Sequence, residues 1–482
     1  MPRFSFRALV LGLSLSLGAC AGGPPPEIAT PAPELPEAFF YQPDRTTRAA
    51  LNILLPTDDI AFLELTGGAL AGAPSLAEAL ARVDAARANA RRSGAERLPN
   101  ITADGSVTGT RINPNQFGDG AAQGGFINTE QVAYGANLVT SWDADLFGRL
   151  RARERAAVAR IDAANASASA VRNAMLAEIA GSVVDWRVLE ARASAIESDV
   201  SAASQLAQLA SAREEAGIAP GFDRVRAQAA ATASRSRLAA LESERVRIVG
   251  RLVTLTGQSG AFVFDALDQG GPAFRPRTPP ASLPSQLLAN RADVLAAASQ
   301  LAASDADLAA AARARFPRLT LSAVLGILAF NPGDLLDEDS IVGTLTAGIA
   351  GPLLDFGRIE AEIDGAAANK RIAFQVYRGA VFQALGDAEA AYGLIAASDN
   401  ETKLAILERD QLQRAASLAN DRYRAGLASF LEVLEARRAA DASGERAAAA
   451  IGRSERARIV LWQALGGEPI EENAGEPAAS GA

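Results

Sequence analysis

The sequence predicts a mainly α-helical chain with short pairs of membrane-type β-strands, the whole built from two copies of one unit. Three observations predict it. First, Asp145-Leu146-Phe147-Gly148-Arg149 returns as Leu354-Asp355-Phe356-Gly357-Arg358, and Ala216-Gly217-Ile218 returns as Ala425-Gly426-Leu427. The spacing is identical in both copies, 217 − 148 = 69 and 426 − 357 = 69. A further phrase precedes each Phe-Gly-Arg: Arg97-Leu98-Pro99-Asn100-Ile101 and Arg315-Phe316-Pro317-Arg318-Leu319. A period of roughly two hundred residues is too long for a solenoid repeat, so the unit is domain-sized. Second, a long alanine-rich stretch free of proline follows each Phe-Gly-Arg. Third, runs of about ten residues with period-two alternation precede it.

The elements follow in chain order. Arg3 and Arg7, then the apolar run Ala8 to Leu17, then small residues, make residues 1–19 a secretion signal. The run is too short to span a bilayer as a helix. It ends in Leu17-Gly18-Ala19-Cys20, which resembles the lipobox of bacterial lipoproteins, where the cysteine becomes the first residue and is acylated. A chance cysteine at the end of a signal is the alternative. Ala21, not an aspartate, favours the outer membrane by resemblance to lipoprotein sorting. Multiple acyl chains of the palmitate kind suffice for stable anchoring. Residues 20–37 read as a lipidated tether, rich in Pro, Ala and Gly.

Cys20 is the only cysteine, so no internal disulfide forms. The absence of histidine removes the commonest general base and metal ligand together. No cofactor is expected beyond the covalent lipid on Cys20. Without the signal, 45 basic residues face 56 acidic ones, a net charge of −11. An acidic chain with no Lys/Arg-rich block argues against nucleic acid as a partner.

Residues 38–260 form the first copy, 261–284 a linker, 285–468 the second copy and 469–482 a disordered tail rich in Glu, Ala and Gly. In each copy strands precede the helical hairpin. Ile101, Ala103, Gly105 and Val107 alternate with Thr102, Asp104, Ser106 and Thr108; Leu319, Leu321, Ala323 and Leu325 alternate with Thr320, Ser322, Val324 and Gly326. A second run follows in each copy, Tyr134 to Trp142 and Leu345 to Ile349, after the loops Asn113–Gly125 and Asn331–Asp339. This is the weak signature of a membrane β-barrel wall. A soluble two-faced hairpin reads the same. Four strands cannot close a transmembrane barrel, and an open edge in lipid costs several kcal/mol per unpaired group. If the strands span a membrane, several copies of the chain must share one barrel.

Next come the helices. Leu150 to about Ala212 and Ile359 to about Arg424 lack proline and are dominated by strong helix formers. Sixty-nine residues of helix reach about 100 Å. Each stretch breaks at Gly217 or Gly426, and a second helix follows over 221–256 or 429–464. The picture is a pair of very long helical hairpins. A plain coiled coil ranks lower because no strict heptad is kept.

These motifs together resemble the TolC-like outer-membrane efflux family, in its NodT-type lipoprotein branch. The match runs from about Ala38 to Glu468. Trp142-Asp143-Ala144-Asp145-Leu146-Phe147-Gly148-Arg149 is close to the family's Trp-Glu-x-Asp-Leu-Phe-Gly-Arg, and Arg422-Tyr423-Arg424-Ala425-Gly426 with Leu431 and Leu434 also matches. Ala292 stands where the family usually has proline, and Ala219-Pro220-Gly221-Phe222 replaces a more usual polar turn. The resemblance implies a homotrimer: a twelve-stranded outer-membrane β-barrel, four strands per chain, on a long periplasmic α-helical barrel with a small mixed α/β girdle. It further implies a passive exit duct in a tripartite pump, fed by an inner-membrane RND transporter through a periplasmic adaptor protein. The chain catalyses nothing in this reading.

A duct needs a constriction, and the helix tips at Gly217 and Gly426 are the candidate place. Glu432 and Glu435 stand three apart on one helix face. The family has acidic residues at these positions, facing the narrow mouth. Trimerisation would make each a ring of carboxylates that focuses cations. Asp223 is the first-copy equivalent of Glu432, since 432 − 209 = 223, and matches an acidic gate position of the family. Leu431 adds an apolar constriction, and Arg226 is placed to pair with a carboxylate across the seam. The bland alternative for each acid is a solvated helix surface. Phe147, Gly148, Phe356 and Gly357 read as structural turns in which the aromatic ring plugs the bend.

Two other functions stay open. One is the export duct of a protein (type I) secretion system; the other is a non-pore structural lipoprotein. An enzyme is the weakest option, because no Ser-centred elbow, metal cluster or phosphate loop accompanies the carboxylates.

Overall fold

The computed structural model describes residues 27–43, 51–113, 130–271 and 277–467. The signal, Cys20, the tail 469–482 and most of the loop Asn113–Gly125 lie outside them. Helices α1 (Ile60–Gly72) and α2 (Pro74–Ala95) precede strands β1 (Asn100–Arg111) and β2 (Glu130–Asp143). Helices α3 (Arg149–Glu215) and α4 (Gly221–Thr256) follow, then the shorter α5 (Gly260–Asp268), α6 (Pro284–Asn290) and α7 (Ala292–Ala312). The second copy continues with β3 (Arg318–Ala329), β4 (Ile341–Ala350), α8 (Arg358–Arg424) and α9 (Phe430–Ala464). Both α3 and α8 are 67 residues long, and their ends are offset by the same 209.

The chain divides into two compact units. One contains Asp84–Ala163 and Ala298–Val376; the other contains Ala32–Val83, Ala164–Ala297 and the chain from Tyr377 on.

The first unit holds the strands. They form one antiparallel sheet in the order β1-β2-β3-β4, so the two copies are joined through β2 and β3. Directly opposed residues share a face, and the registers Ala103↔Leu138, Leu138↔Leu325 and Leu325↔Gly343 sort the side chains. One face collects Ile101, Val107, Leu138, Leu325, Leu345 and Ile349; the other collects Thr102, Asp104, Asn137, Ser141, Ser322 and Thr346. A soluble hairpin would cover the apolar face. Here it is bare, with Leu345 80 % and Ile349 75 % exposed. A two-faced sheet whose apolar side is left uncovered by its own chain fits a barrel wall, apolar towards lipid and polar towards the lumen.

Each strand pair hands over to its long helix at an aspartate turn. Asp145, itself left-handed at φ 45°, accepts from the backbone N–H groups of Leu150 and Arg151, both at 2.8 Å. In the second copy Asp355 sits one position later relative to the glycine. It accepts from Ile359 N–H at 2.8 Å and Gly357 N–H at 3.2 Å, and the left-handed residue is instead Phe356. The bond from Ile359 holds the Asp355 carboxyl below its usual range. Both carboxylates thus satisfy orphan donors at a helix start. The aromatic rings differ. Phe147 stacks on Phe316 with centroids 4.7 Å apart, whereas Phe356 is 91 % exposed. The left-handed backbone turns Phe356 outward, and the first-copy counterpart of Phe316 is only Leu98.

The second unit is helical among the described residues. Its core gathers Phe62 and Leu65 of α1, Ile179, Val183 and Trp186 of α3, Leu252 of α4, Val263 and Leu267 of α5, Tyr392 of α8 and Trp462 of α9. No strand occurs outside the four-stranded sheet among the described residues. The β part of the expected α/β girdle is therefore not found there. Moreover, the stretch 261–284 read as a linker carries most of α5, which starts on an Ser259 cap accepting from Phe262 N–H at 3.2 Å. Buried arginines of this unit are paired. Arg187 binds Asp59 at 2.8 Å, and Arg291 bridges Asp293 and Asp387 at 2.6 and 3.0 Å.

Candidate functional site at the helix tips

The two tips, both in the second unit, are built alike. Gly217 and Gly426 take left-handed φ values of 70° and 76°, which only glycine adopts without cost. That conformation lets Ile218 N–H reach Arg213 O at 2.8 Å and Gly217 N–H reach Glu214 O at 2.8 Å. Leu427 N–H on Arg422 O, at 2.7 Å, and Gly426 N–H on Tyr423 O, at 3.0 Å, repeat the pattern. Each long helix thus ends in a Schellman cap.

The next helix starts differently in each copy. In α9 the Ser429 hydroxyl accepts from Glu432 N–H at 3.2 Å. Ser429-Phe430-Leu431-Glu432 is a capping-box pattern, a signal present in the sequence that the reading above passed over. In α4 the N-cap is Pro220, with no side-chain bond, and Asp223 lies in the first turn. Carboxylates at these positions complement the helix dipole. Glu432 and Asp223 therefore have a local structural reason to be acidic. Glu435 lies a turn further in, beyond the reach of that reason.

Packing decides which side each residue faces. Phe430, Val433 and Leu434 of α9 are buried against Leu206, Ala210, Ala227, Ala419 and Tyr423. Tyr423 meets Phe430 edge-on at 6.1 Å, with the Arg213 guanidinium 4.5 Å above the Tyr423 ring. Leu431, Glu432 and Glu435 fall on the opposite, exposed face. Among the described residues no ion-pair partner is found for Asp223, Glu432 or Glu435. Arg226 lies over the Phe222 ring at 5.0 Å. The tips also expose apolar side chains, Ile218, Phe222, Val225, Leu427 and Leu431. The structure brings Leu431, Glu432 and Glu435 together on one solvent-facing strip of α9; Asp223 sits at the equivalent place on α4.

The described residues contain no cluster of three or more potential metal ligands, and no single helix among them is long and apolar enough to cross a membrane. The apolar surface the chain leaves bare includes one face of the sheet. A family model described as outer membrane efflux protein matches residues 65–258 and 283–467, one span in each copy. The chain belongs to the outer membrane efflux protein family. It is similar to the pyoverdine export outer membrane protein OpmQ of Pseudomonas aeruginosa, 28 % identical over 83 % of each chain. It is similar too to nodulation protein T of Rhizobium leguminosarum bv. trifolii, 26 % identical over 94 % of this chain and 95 % of that one. Among solved structures, the outer-membrane channel OprN superposes with a TM-score of 0.82 at 25 % identity, covering 92 % of this chain and 98 % of that chain. The chain is thus an outer-membrane efflux channel subunit, a transport duct and not an enzyme, with the mixed helical and membrane-β fold of the trimeric ducts.

Proposed function

We propose that three copies of this chain, anchored by acyl chains on Cys20, form a homotrimeric exit duct of a tripartite pump. An inner-membrane transporter of the RND type loads small molecules into it through a periplasmic adaptor. The observation that carries the reading is the four-stranded sheet, whose apolar face is bare and whose outer strands β1 and β4 each leave one edge unpaired among the described residues. Unpaired strand edges in lipid are too costly to persist, so further copies must complete the wall. Exposed apolar side chains at the tips suit docking of an adaptor there. Export of pyoverdine, as the name of one relative records, makes small molecules a reasonable cargo class. Asp223, Leu431, Glu432 and Glu435 then ring the periplasmic mouth as a cation-focusing gate.

Electron microscopy of the acylated protein in detergent tests the assembly. A threefold particle bearing a long tube is expected. Monomers, or rods without a barrel, would sink the duct reading and leave a spacer lipoprotein.

A further inference from the structure

The internal repeat carries more than a fold: it specifies how one copy of the chain meets the next. Two shifts relate the copies. The segment from Arg97 through β1 maps onto the segment from Arg315 through β3 with 315 − 97 = 218. From β2 onward the shift is 357 − 148 = 209. These shifts reproduce an observed register. Asn100↔Ser141 in the first hairpin becomes 100 + 218 = 318 and 141 + 209 = 350, and Arg318↔Ala350 is the pair found in the second.

Within the chain, β2 of the first copy pairs with β3 of the second. In a closed ring the free edge of β4 has to pair with the β1 of a neighbour, and the internal repeat supplies a pattern for that pairing. We propose that β4 pairs with β1 of a second copy of this chain in the register obtained by shifting the β2–β3 pairs. Tyr134↔Ala329 becomes Gly343 (134 + 209) opposite the partner's Arg111 (329 − 218). Asn137↔Gly326 becomes Thr346 opposite the partner's Thr108, and Gly135↔Leu328 becomes Thr344 opposite the partner's Thr110. This inference rests on the shared-duct reading above.

Three features of the chain agree with that register. The first is side-chain parity: it sets Ala347 opposite the partner's Val107 on the apolar face, and threonine opposite threonine on the polar face. A slip of one residue would exchange the faces, and cross-strand threonine pairs are favourable. The second is the unequal fate of the two bends. The Phe147–Phe316 stack shifts onto Phe356 and the partner's Leu98. Those residues are 91 % and 66 % exposed in the isolated chain, as surfaces awaiting each other would be. The third is the backbone bond from Ala144 N–H to Leu319 O, 3.0 Å long. Its shifted form runs from Leu353, also exposed, to the partner's Ile101.

Cysteine cross-linking reads the register directly. Opposed residues in an antiparallel pair have Cβ atoms about 4.5–5.5 Å apart, whereas diagonal neighbours are about 7–8 Å apart, beyond disulfide reach. The full-length lipoprotein carries Thr346→Cys with Thr108→Cys, or Thr344→Cys with Thr110→Cys as an independent second pair. Mild oxidation of outer membranes should convert most chains into a covalent trimer on non-reducing gels. Thr346→Cys combined with Thr110→Cys or with Ser106→Cys should leave most chains monomeric. A slipped pair that cross-links as well as the matched pairs, or matched pairs that stay unlinked in an intact oligomer, overturns the register alone. An unmodified protein that purifies as a monomer overturns the shared duct, and the register with it.

Discussion

Arg458 is the deepest charge in the helical unit, 1 % exposed, and replacing its partner should be among the most damaging single changes outside the sheet. Its guanidinium donates to both oxygens of Asp399 at 3.0 Å, to Ser454 O at 2.8 Å and to Arg277 O at 3.0 Å. Asp399→Ala leaves this cation buried and unpaired, a change that costs about 3–5 kcal/mol in general. The lower end applies here. The Glu455 carboxyl lies close by, and burial, partly offset by the Arg458 charge, raises its pKa. Loss of Asp399 removes a repulsion from Glu455, which then ionises more readily and takes over part of the pairing. About 3 kcal/mol is therefore expected. Arg458→Met removes the cation itself. The Asp399 side chain keeps 29 % of its surface in solvent, so it rehydrates, and the loss is then mainly of bonds to neutral acceptors, about 1–2 kcal/mol. Urea unfolding of the detergent-purified protein, followed by tryptophan fluorescence, reports on this region. Trp462 is fully buried and lies one turn from Arg458. Asp399→Ala should lower the midpoint clearly more than Arg458→Met. An Arg458→Met variant as unstable as Asp399→Ala, or more so, would refute the buried-charge account.

Other predictions address the tips and the junctions. Glu435→Ala should raise single-channel conductance in planar bilayers and weaken cation preference without loss of stability, while Glu432→Ala should also cost about 0.5–1 kcal/mol through its place at the helix start; unchanged conductance and ion preference in the double variant would remove both from the gate. Asp199 is pushed up to about 7 by burial and by its hydrogen bond to Asp441, against the opposing pull of Arg237 and Arg437. A carboxyl raised in the folded state binds more protons there than unfolded, so stability should fall as pH rises from about 4 to above 7. Asp199→Asn should flatten that slope in a pH series of urea midpoints, and an unaltered slope would rule Asp199 out as its source. Asp145→Ala should cost about 1–2 kcal/mol by orphaning two N–H donors at the start of α3, read as faster proteolysis at the Phe147-Gly148 bend; resistance equal to that of the unaltered chain would count against the cap.

Much of this architecture is legible from local chemistry. The absence of proline and the two interrupting glycines place α3 and α8 to within a few residues of their ends, because helix propensity and the left-handed cap are properties of neighbouring residues. Alternation places all four strands for the same reason. Their union into one sheet with β2 beside β3 is a long-range fact that no local pattern encodes. The short helices α1, α5 and α6 escaped because they are held by packing of residues such as Phe62, Val263 and Leu287 against distant helices. At the tips, spacing sufficed to find the acidic strip of α9. The Ser429-x-x-Glu432 spacing also separates Glu432, whose N–H is capped by Ser429, from Glu435, which has no such partner, once it is read as a capping pattern. The bends look equivalent in sequence, yet a single-position displacement of the aspartate moves the left-handed residue from Asp145 to Phe356.

The equal length of α3 and α8 limits how this chain can change. An added residue inside either helix would carry everything beyond it about 1.5 Å along and about 100° around, so its tip would no longer match its counterpart. The two copies keep one offset of 209 from β2 through α9, and the sole discrepancy, nine residues, falls between the strands of each hairpin. Length variation is thus confined to the loops joining β1 to β2 and β3 to β4. Grafted peptides or epitope tags belong there, whereas insertions in the long helices must be made in matched pairs to be tolerated.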